Sequence, residues 1–196
     1  MQLVLDWDGT ITVRDSLVAA VHALGDPSVY DGGIQNGFGS YGEALAAEVA
    51  TLRVSEEEAA AWAVENVEVR PGFHELVERY RPIVVSSGLP QLILPVLERE
   101  GVEVEVRSNN AEVRPDGWRV IFRDEGVCPV CGDKCKRRSL PDTHPLVFVG
   151  DGWSDRCASL VADRVFARTG LAEYLDEQGV PFERYETLND VAAALT

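Results

Sequence analysis

Two aspartates stand two positions apart near the start of the chain, where the apolar run Leu3–Leu5 is followed by Asp6, Trp7, Asp8 and Gly9. Side chains two apart in a strand point to the same face, so a strand that continues to Asp8 places both carboxylates together. Carboxylates held that close raise each other's pKa or share a cation, and Mg²⁺ is the usual cation for oxygen ligands. The alternative is a solvated turn that closes a hairpin.

Two further strand-like runs end in polar or small residues. The first covers residues 82–85 and leads into two serines and a glycine, and the second covers residues 145–149 and leads into two aspartates. Continuous apolar runs of this length are typical of buried parallel strands, whose carboxyl ends meet at one edge of a sheet where ligands bind. We therefore expect one site at this edge, containing Asp6, Asp8, Ser86, Ser87, Gly88, Asp151 and Asp155.

The order of the predicted elements indicates the fold class. From residue 70 onward short apolar strands alternate with helices, which is typical of an α/β protein with a doubly wound, Rossmann-like parallel sheet. Residues 15–69 carry helical patterns without strands, interrupted by a glycine-rich loop over 30–42. A Pro-Asp-Gly turn at 115–117 joins two short strands into a β-hairpin flap. We predict a core of residues 1–14 and 70–196, with a helical cap of residues 15–69.

The charge of the chain limits what it can bind. The formal net charge is −15 and the pI is about 4.5, so the surface repels nucleic acid and anionic membranes. An anionic substrate then needs a locally positive site, built from a metal ion and a few cations. Of the 18 basic residues only Lys134 and Lys136 are lysines, which indicates a place where a compact ammonium is preferred over a guanidinium.

We expect neither a signal peptide nor a membrane-spanning segment. The first residues lead directly into a predicted strand, and no apolar run approaches the length of about 20 residues that spans a bilayer. We expect a cytoplasmic protein without a membrane partner. Nothing in the sequence indicates the oligomeric state.

The four cysteines, three of them clustered, do not form a disulfide framework in a chain of 196 residues. Cys128, Cys131 and Cys135 would bind Zn²⁺ if His144 or Cys157 supplied a fourth ligand. The alternatives are reduced, packed thiols or a labile disulfide between Cys128 and Cys131.

Together the expected site groups favour phosphoryl transfer. Carboxylates, a bound Mg²⁺, the Ser86 hydroxyl and the Lys136 ammonium around one point are suited to positioning a phosphoryl group and stabilising its charge. The sequence shows no Ser-His pair, so a carboxylate is the natural nucleophile and would form an aspartyl-phosphate.

Four short motifs, in this order, resemble those of the haloacid dehalogenase superfamily of phosphohydrolases. They are Asp6-Trp7-Asp8-Gly9-Thr10, Ser86 after an apolar strand, Lys136, and Gly150-Asp151-Gly152-x-x-Asp155. The helical insert after the first strand resembles the cap of the phosphoserine-phosphatase-like branch of that superfamily. The resemblance implies Asp6 as the nucleophile and Asp8 as the general acid, which then becomes the base for the hydrolytic water.

The same resemblance implies the ligands of the phosphate and the metal. The phosphate-binding residues would be Thr10, Ser86, Ser87, Gly88 and Lys136. The Mg²⁺ ligands would be Asp6, Asp8 through its carbonyl, and Asp151, with Asp155 supporting them. Asp15 stands where phosphoserine-phosphatase-like members carry an acidic substrate-contacting residue, and the alternative is an ordinary aspartate at a helix N-terminus.

The segment from the hairpin to Lys136 resembles a narrower group, the methionine-salvage phosphatases that act on 2-hydroxy-3-keto-5-methylthiopentenyl-1-phosphate. In that group a cysteine-rich run leads into Cys-Lys-Pro, and this chain has Arg137 in place of the proline. The resemblance implies a Mg²⁺-dependent phosphomonoesterase for that compound or for phosphoserine. The alternatives are a receiver-like signalling module and a catalytically idle module that binds phosphate.

Overall fold

A sheet of six parallel strands forms the centre of the computed structural model, which describes residues 1–29 and 37–196. In chain order all the described strands, including two that lie outside this sheet, are β1 (Gln2–Leu5), β2 (Ile83–Val85), β3 (Glu105–Arg107), β4 (Asn110–Glu112), β5 (Arg119–Ile121), β6 (Leu146–Gly150), β7 (Arg164–Ala167) and β8 (Glu183–Arg184). The sheet order is β3-β2-β1-β6-β7-β8, and β4 and β5 form a separate antiparallel hairpin. The structure confirms the predicted α/β class and the hairpin.

Helices cover both faces of this sheet. In chain order they are α1 (Ser16–Leu24), α2 (Tyr41–Val49), α3 (Glu56–Asn66), α4 (Phe73–Tyr80), α5 (Pro90–Arg99), α6 (Arg156–Ser159), α7 (Thr169–Gln178) and α8 (Leu188–Ala194). Leu3 and Leu5 of β1 pack in one apolar cluster with residues of α4, α5 and α8, whereas Val4 packs in a second cluster with residues of α7. This two-residue alternation is expected of a strand buried on both faces, and it confirms the doubly wound arrangement.

The helices α1, α2 and α3 lie in the predicted insert, of which residues 30–36, including part of the predicted loop over 30–42, lie outside the described residues. Their apolar side chains, among them Leu17 and Leu45, belong to the same cluster as Leu3 and Leu5. The helix α3 packs against α5. The described part of the insert is therefore packed directly on the core, and its division from the core as a cap stays a prediction.

Arg70 joins the two ends of the insert. Thr12 and Val69 pair in an antiparallel bridge where the chain leaves and re-enters the core. The buried Arg70 guanidinium donates to five backbone carbonyls, which are those of Gly9, Thr10, Thr12, Val13 and Glu186. A buried cation of this kind needs such partners, because leaving its donors unpaired costs several kcal/mol, on the order of 2–4. Arg70 therefore anchors the turn that follows β1.

The hairpin of β4 and β5 packs against the insert. The Trp118 backbone N–H donates to the Leu52 carbonyl at 3.0 Å, and its indole N–H donates to the Val54 carbonyl at 2.8 Å. The neighbouring Gly117 has φ +131°, and a Cβ there would lie 2.3 Å from the Ala50 carbonyl oxygen. The hairpin is thus held to the end of α2 by close backbone contacts.

The alternating valines of residues 102–106 predict a strand over that range, but β3 begins only at Glu105. Ile83 of β2 pairs with Glu105 and Val85 pairs with Arg107, so the register with β2 determines where β3 lies. The apolar residues of 102–106 do not indicate which residues pair with β2. Within residues 1–29 and 37–196, no helix is both long enough and apolar enough to cross a lipid bilayer.

Replacing Arg70 with alanine should destabilise the protein by about 3 kcal/mol, because five backbone carbonyls lose a charged donor and several remain buried. Chemical denaturation measures this change. The matched control is Arg79→Ala, since Arg79 pairs with Glu75 on an exposed helix face and should contribute about 0.5 kcal/mol at most. Equal losses in the two variants would contradict the anchoring role of Arg70.

Candidate active site

Asp6 is placed by the end of β1. Its backbone N–H donates to the Val149 carbonyl at 2.9 Å, which extends the pairing of β1 with β6 by one residue. The carboxylate is 2% exposed and accepts from the Trp7 N–H at 2.5 Å and from the Lys136 ammonium. Asp6 is therefore held rigidly at the edge of the sheet where the site was predicted.

Asp8 reaches the site by a different route from the one the sequence predicts. The strand ends at Leu5 and does not continue to Asp8, since residues 7–11 form a tight turn closed by the Thr12 N–H on the Trp7 carbonyl at 3.0 Å. The Asp8 carboxylate accepts from the Ser16 N–H at 2.8 Å and from the Ser16 hydroxyl at 2.5 Å. The expectation of a shared strand face is wrong, yet Asp6 and Asp8 line the same cavity.

Gly9 allows this turn to approach the neighbouring loop. Its φ of +74° lies in the left-handed region that favours glycine. A Cβ at this position would lie 2.2 Å from Asp151 Oδ2. Both observations require glycine between Asp8 and Thr10.

A buried ion cluster joins three segments of the chain. The Lys136 ammonium donates to Asp6 Oδ1 and, at 2.7 Å, to Asp155 Oδ1, and its side chain is 3% exposed. Burial opposes the charge of Lys136, but Asp155 and Asp6 outweigh that effect and raise its pKa, so it stays an ammonium. Burial, and next the charge of Asp155, raise the pKa of Asp6 well above its usual range, although Lys136 acts in the opposite direction. One ammonium is therefore the charge partner of more than one buried carboxylate.

Asp155 supports the site and has no free oxygen. It is fully buried, and its second oxygen accepts from the N–H groups of Asp151 at 3.0 Å and Gly152 at 3.1 Å. Asp151 is more open, and Thr10 donates to its Oδ1 at 3.4 Å. Burial and the charge of Asp155 raise the pKa of Asp151 to about 6.

The donor set fits a hard divalent cation. Carboxylate oxygens of Asp6, Asp151 and Asp155 lie within 4.8 Å of one another. Because both Asp155 oxygens have donors, Asp6 and Asp151 are the carboxylates left to coordinate. An all-oxygen set of this charge is the chemistry that Mg²⁺ prefers.

A cavity of about 340 Å³ opens above these groups. Residues from all three predicted strand ends line it, namely Asp6, Asp8, Ser87, Gly88, Asp151 and Gly152, and Lys136 lines it as well. Side chains of the insert form the other wall, namely Asp15, Leu17, Val18, Tyr41, Ala44, Leu45 and Glu48. The site thus lies between the sheet edge and the helices α1 and α2.

The other residues predicted for the phosphate and substrate sites differ in whether they line the cavity. Ser86 Oγ accepts from the Gly88 N–H at 2.8 Å and donates to Asp8 Oδ2 at 3.4 Å, beside the cavity. Thr10 is fully buried behind Asp151 and does not line the cavity. Asp15 caps α1 by accepting from the Val18 N–H at 2.8 Å, and it also lines the cavity, so the structure accommodates both readings of this residue.

The sequence analysis missed Ser16 and Tyr185. Ser16 is the first residue of α1 and holds Asp8, as described above, and it also accepts from the Trp7 indole at 3.1 Å. The buried Tyr185 hydroxyl donates to Thr10 Oγ1 at 3.3 Å, from a segment 175 residues away. A hydroxyl at a helix start is an available signal for Ser16, whereas no local pattern indicates Tyr185.

The structure brings a fourth cysteine to the predicted three. The sulfur atoms of Cys128, Cys131, Cys135 and Cys157 lie within 4.8 Å of one another, and all four are free thiols. The alternative of a Cys128–Cys131 disulfide is therefore wrong in this structure. His144, the other candidate ligand, contacts Asp163 at 2.6 Å and is not part of the group.

Comparison with known proteins identifies the family of the chain. The family model of the haloacid dehalogenase-like hydrolases matches residues 3–159, which include the four motifs. The chain belongs to this family of hydrolases.

Its relatives of known name include phosphatases. It is 26% identical to a 2-hydroxy-3-keto-5-methylthiopentenyl-1-phosphate phosphatase of Brevibacillus brevis, over 98% of this chain and 94% of the relative. It is 27% identical to the polyol phosphate phosphatase PYP1 of Saccharomyces cerevisiae (97% and 90%), and 28% identical to Pdp3-interacting factor 1 of Schizosaccharomyces pombe (95% and 90%). The predicted resemblance to methionine-salvage phosphatases is confirmed, and so is the expectation of a phosphatase-type hydrolase.

Solved structures share the fold. A phosphoserine phosphatase from T. onnurineus superposes with a TM-score of 0.67 at 20% identity and covers 98% of this chain and 92% of its own. A substrate-bound phosphoserine phosphatase superposes with a TM-score of 0.68 at 16% identity, covering 98% and 97%. The chain therefore shares its fold with phosphoserine phosphatases.

The metal-free protein should gain stability as the pH falls from 7 to 5. A carboxyl whose pKa is higher in the folded state than in the unfolded chain binds its proton more tightly when folded, so its stabilising effect is lost as the pH rises through about 6 for Asp151. The Asp151→Asn variant should show a smaller gain, measured by thermal unfolding in EDTA from pH 5 to 8.

The matched control is Asp176→Asn, because Asp176 pairs with Arg184 on the surface, far along the chain from the site residues. Its pH profile should follow that of the wild type. A profile of Asp151→Asn that is indistinguishable from both would show that Asp151 does not carry the raised pKa.

Proposed function

We propose that this protein is a Mg²⁺-dependent phosphomonoesterase that hydrolyses a small phosphorylated metabolite through an aspartyl-phosphate on Asp6. The observation that supports this most is the buried contact of Lys136 with Asp6 and Asp155 below an open cavity. It fixes a carboxylate and an ammonium at one point, where a phosphoryl group must be both attacked and stabilised.

Asp6 would be the nucleophile. Its carboxylate attacks the phosphorus of the substrate, the bond from phosphorus to the ester oxygen breaks, and an acyl phosphate forms on Asp6. Lys136 donates to the phosphoryl oxygens while Asp155 holds its ammonium in place. Asp6 and Asp151, with the Asp8 carbonyl, would hold Mg²⁺, which would neutralise charge on the phosphoryl oxygens.

Asp8 would move the protons. In the first step it gives a proton to the leaving ester oxygen, and in the second it removes a proton from the water that attacks phosphorus and releases Asp6. The two Ser16 hydrogen bonds hold the Asp8 carboxylate toward the cavity. Ser16 thus positions Asp8 without contacting the phosphoryl group.

The cavity wall opposite the phosphate site supports a substrate without a second anionic group. Leu17, Val18 and Leu45 contribute apolar surface, and Asp15 and Glu48 contribute carboxyl groups. Among the described lining residues Lys136 is the one cation, and it is engaged below the cavity. The substrate carboxylate of phosphoserine would meet acidic and apolar groups here, which costs free energy.

Hydroxyl, keto and apolar groups fit this wall better. Burial raises the pKa of Glu48 to about 7, so near neutral pH its carboxyl group can donate as well as accept hydrogen bonds. These are the groups of a phosphorylated keto or polyol compound, such as the methylthiopentenyl phosphate named for the Brevibacillus brevis relative. We propose that the insert of residues 15–69 acts as the cap that selects this part of the substrate.

The free thiols fit the reducing cytoplasm that we expect for this protein.

Replacing Asp6 with asparagine should lower kcat for a generic aryl phosphate by about 10⁴-fold or more, because an amide cannot form the acyl phosphate. EDTA should abolish the wild-type activity reversibly, with Mg²⁺ restoring it. The matched control, Asp176→Asn, should keep wild-type turnover, and circular dichroism should show both variants folded. Wild-type turnover in Asp6→Asn would contradict the nucleophile assignment.

A panel of phosphorylated metabolites should show which substrate the cap selects. We expect kcat/KM for keto or polyol phosphates that carry no charge besides the phosphate to exceed that for phosphoserine by about 100-fold, which corresponds to roughly 2.7 kcal/mol. A preference for phosphoserine would contradict the reading of the cavity wall. Absence of turnover on every member with Mg²⁺ present would favour the catalytically idle alternative.

A further inference from the structure

The four cysteines form a second cluster of donor atoms, separate from the carboxylates of the active site. Their sulfur atoms lie within 4.8 Å of one another, and those of Cys128 and Cys157 are 3.7 Å apart. Zinc bound by four thiolates at about 2.3 Å in a tetrahedron requires sulfur atoms about 3.8 Å apart. The separation of the Cys128 and Cys157 sulfur atoms is therefore close to the edge of a zinc tetrahedron, and the other pairs lie within 4.8 Å.

The chain around the first two cysteines forms a turn that presents sulfur. The Gly132 N–H donates to the Cys128 carbonyl at 2.8 Å, and the Cys128 N–H donates to the Asp133 carbonyl at 2.8 Å. Gly132 has φ +72°, which a glycine adopts without strain. These contacts fold residues 128–133 into one compact turn that carries two of the four cysteines.

Packing alone does not account for the cluster. Cys131 is exposed and Cys135 is partly exposed, so half of the group gains little from removal of thiols from water. No two of the four sulfurs are bonded in the structure. Four sulfurs directed at one point, partly at the surface, are better explained by a shared ligand.

Two cations lie beside the cluster in a chain that is otherwise strongly acidic. Zn²⁺ with four thiolates carries a charge of about −2, which needs compensation. Lys134 lines a cavity together with Cys131, Cys135 and Cys157. The Arg156 guanidinium stacks on Trp153 at 3.9 Å and on Tyr174 at 4.7 Å, and lines one cavity with three of the cysteines. Its buried Nε has no hydrogen-bond partner within the described residues.

We propose that Cys128, Cys131, Cys135 and Cys157 bind one structural Zn²⁺. Cys135 directly precedes Lys136, and Cys157 follows Asp155 by two residues. The ion would tie together the two segments whose side chains form the Lys136–Asp155 ion pair. Zinc at this place stabilises the fold and holds the phosphate-binding lysine, and it takes no part in the chemistry.

Metal analysis of the purified protein tests this proposal. Protein made in zinc-supplemented medium and washed with a weak chelator should contain about one zinc per chain. Organomercurial modification of the thiols should release that zinc to a chromogenic chelator. Cobalt in its place should give the intense visible absorption of a tetrahedral thiolate site, which carboxylate ligands do not produce. Removal of zinc should lower the thermal unfolding midpoint.

Variants locate the site. Cys131→Ser should lose the zinc, and because Cys131 is exposed this variant should remain folded at low temperature. Since every cysteine belongs to the cluster, the matched controls are His144→Ala and Asp151→Asn, both of which should keep one zinc. Asp151→Asn loses the proposed Mg²⁺ ligand, so zinc retained in this variant distinguishes the two sites and keeps the test independent of the proposed activity.

Several outcomes would overturn the proposal. Protein without zinc, in which four thiols react freely under native conditions, would show packed cysteines only. Zinc that persists in Cys131→Ser but not in Asp151→Asn would place the ion at the carboxylates. Iron in place of zinc would refute the choice of metal, and a Cys128–Cys131 disulfide in freshly purified protein would refute the ligand set.

Discussion

One buried ammonium links the parts of this site. Lys136 donates to Asp6 at the end of β1 and to Asp155 in the loop after β6, and hardly any of its side chain reaches water. Without it three carboxylates would lie together at low dielectric, and the pKa values of Asp6 and Asp151 would rise further. The presence of this ion cluster is weak evidence for the stability of the fold. It strongly constrains the relative positions of the three side chains, because removal of one charge leaves the others buried and unpaired.

The surrounding structure supplies the rigidity that this cluster needs. The parallel strands bring Asp6 and Asp151 to one edge of the sheet. Arg70, which lies where the chain re-enters the core, anchors the turn that follows Asp6. Glycine at position 9 lets the turn approach Asp151 closely. The proposed zinc site would add to the hydrogen bonds that hold the segment carrying Lys136, such as those from Tyr41 to Asp133 and from Arg107 to Ser139. Placement of functional groups on rigid elements is what catalysis by positioning requires.

Much of this arrangement could be predicted from the sequence, and the exceptions have physical causes. The apolar runs before Asp6, Ser86 and Asp151 predict buried strands, and parallel strands share a carboxyl edge, so the convergence follows from local pattern. Arg70 and Tyr185 were missed because their partners are distant in sequence, and periodicity gives no information on such contacts. Ser16 holds the Asp8 carboxylate from only eight residues away, and a hydroxyl at the start of a helix was an available signal for it. The fourth cysteine was named only as one of two candidates, since the choice between Cys157 and His144 depends on the path of the chain after β6.

The central claim is that Asp6 carries the phosphoryl group, and covalent trapping tests it most directly. Reaction with excess enzyme, quenched in acid and reduced with borohydride, converts an aspartyl-phosphate to homoserine, which survives digestion. Trypsin cleaves first after Arg14, so the peptide of residues 1–14 contains both Asp6 and Asp8. Fragmentation of that peptide should locate homoserine at position 6. Homoserine at position 8, or an unmodified peptide under conditions of full turnover, would contradict this account.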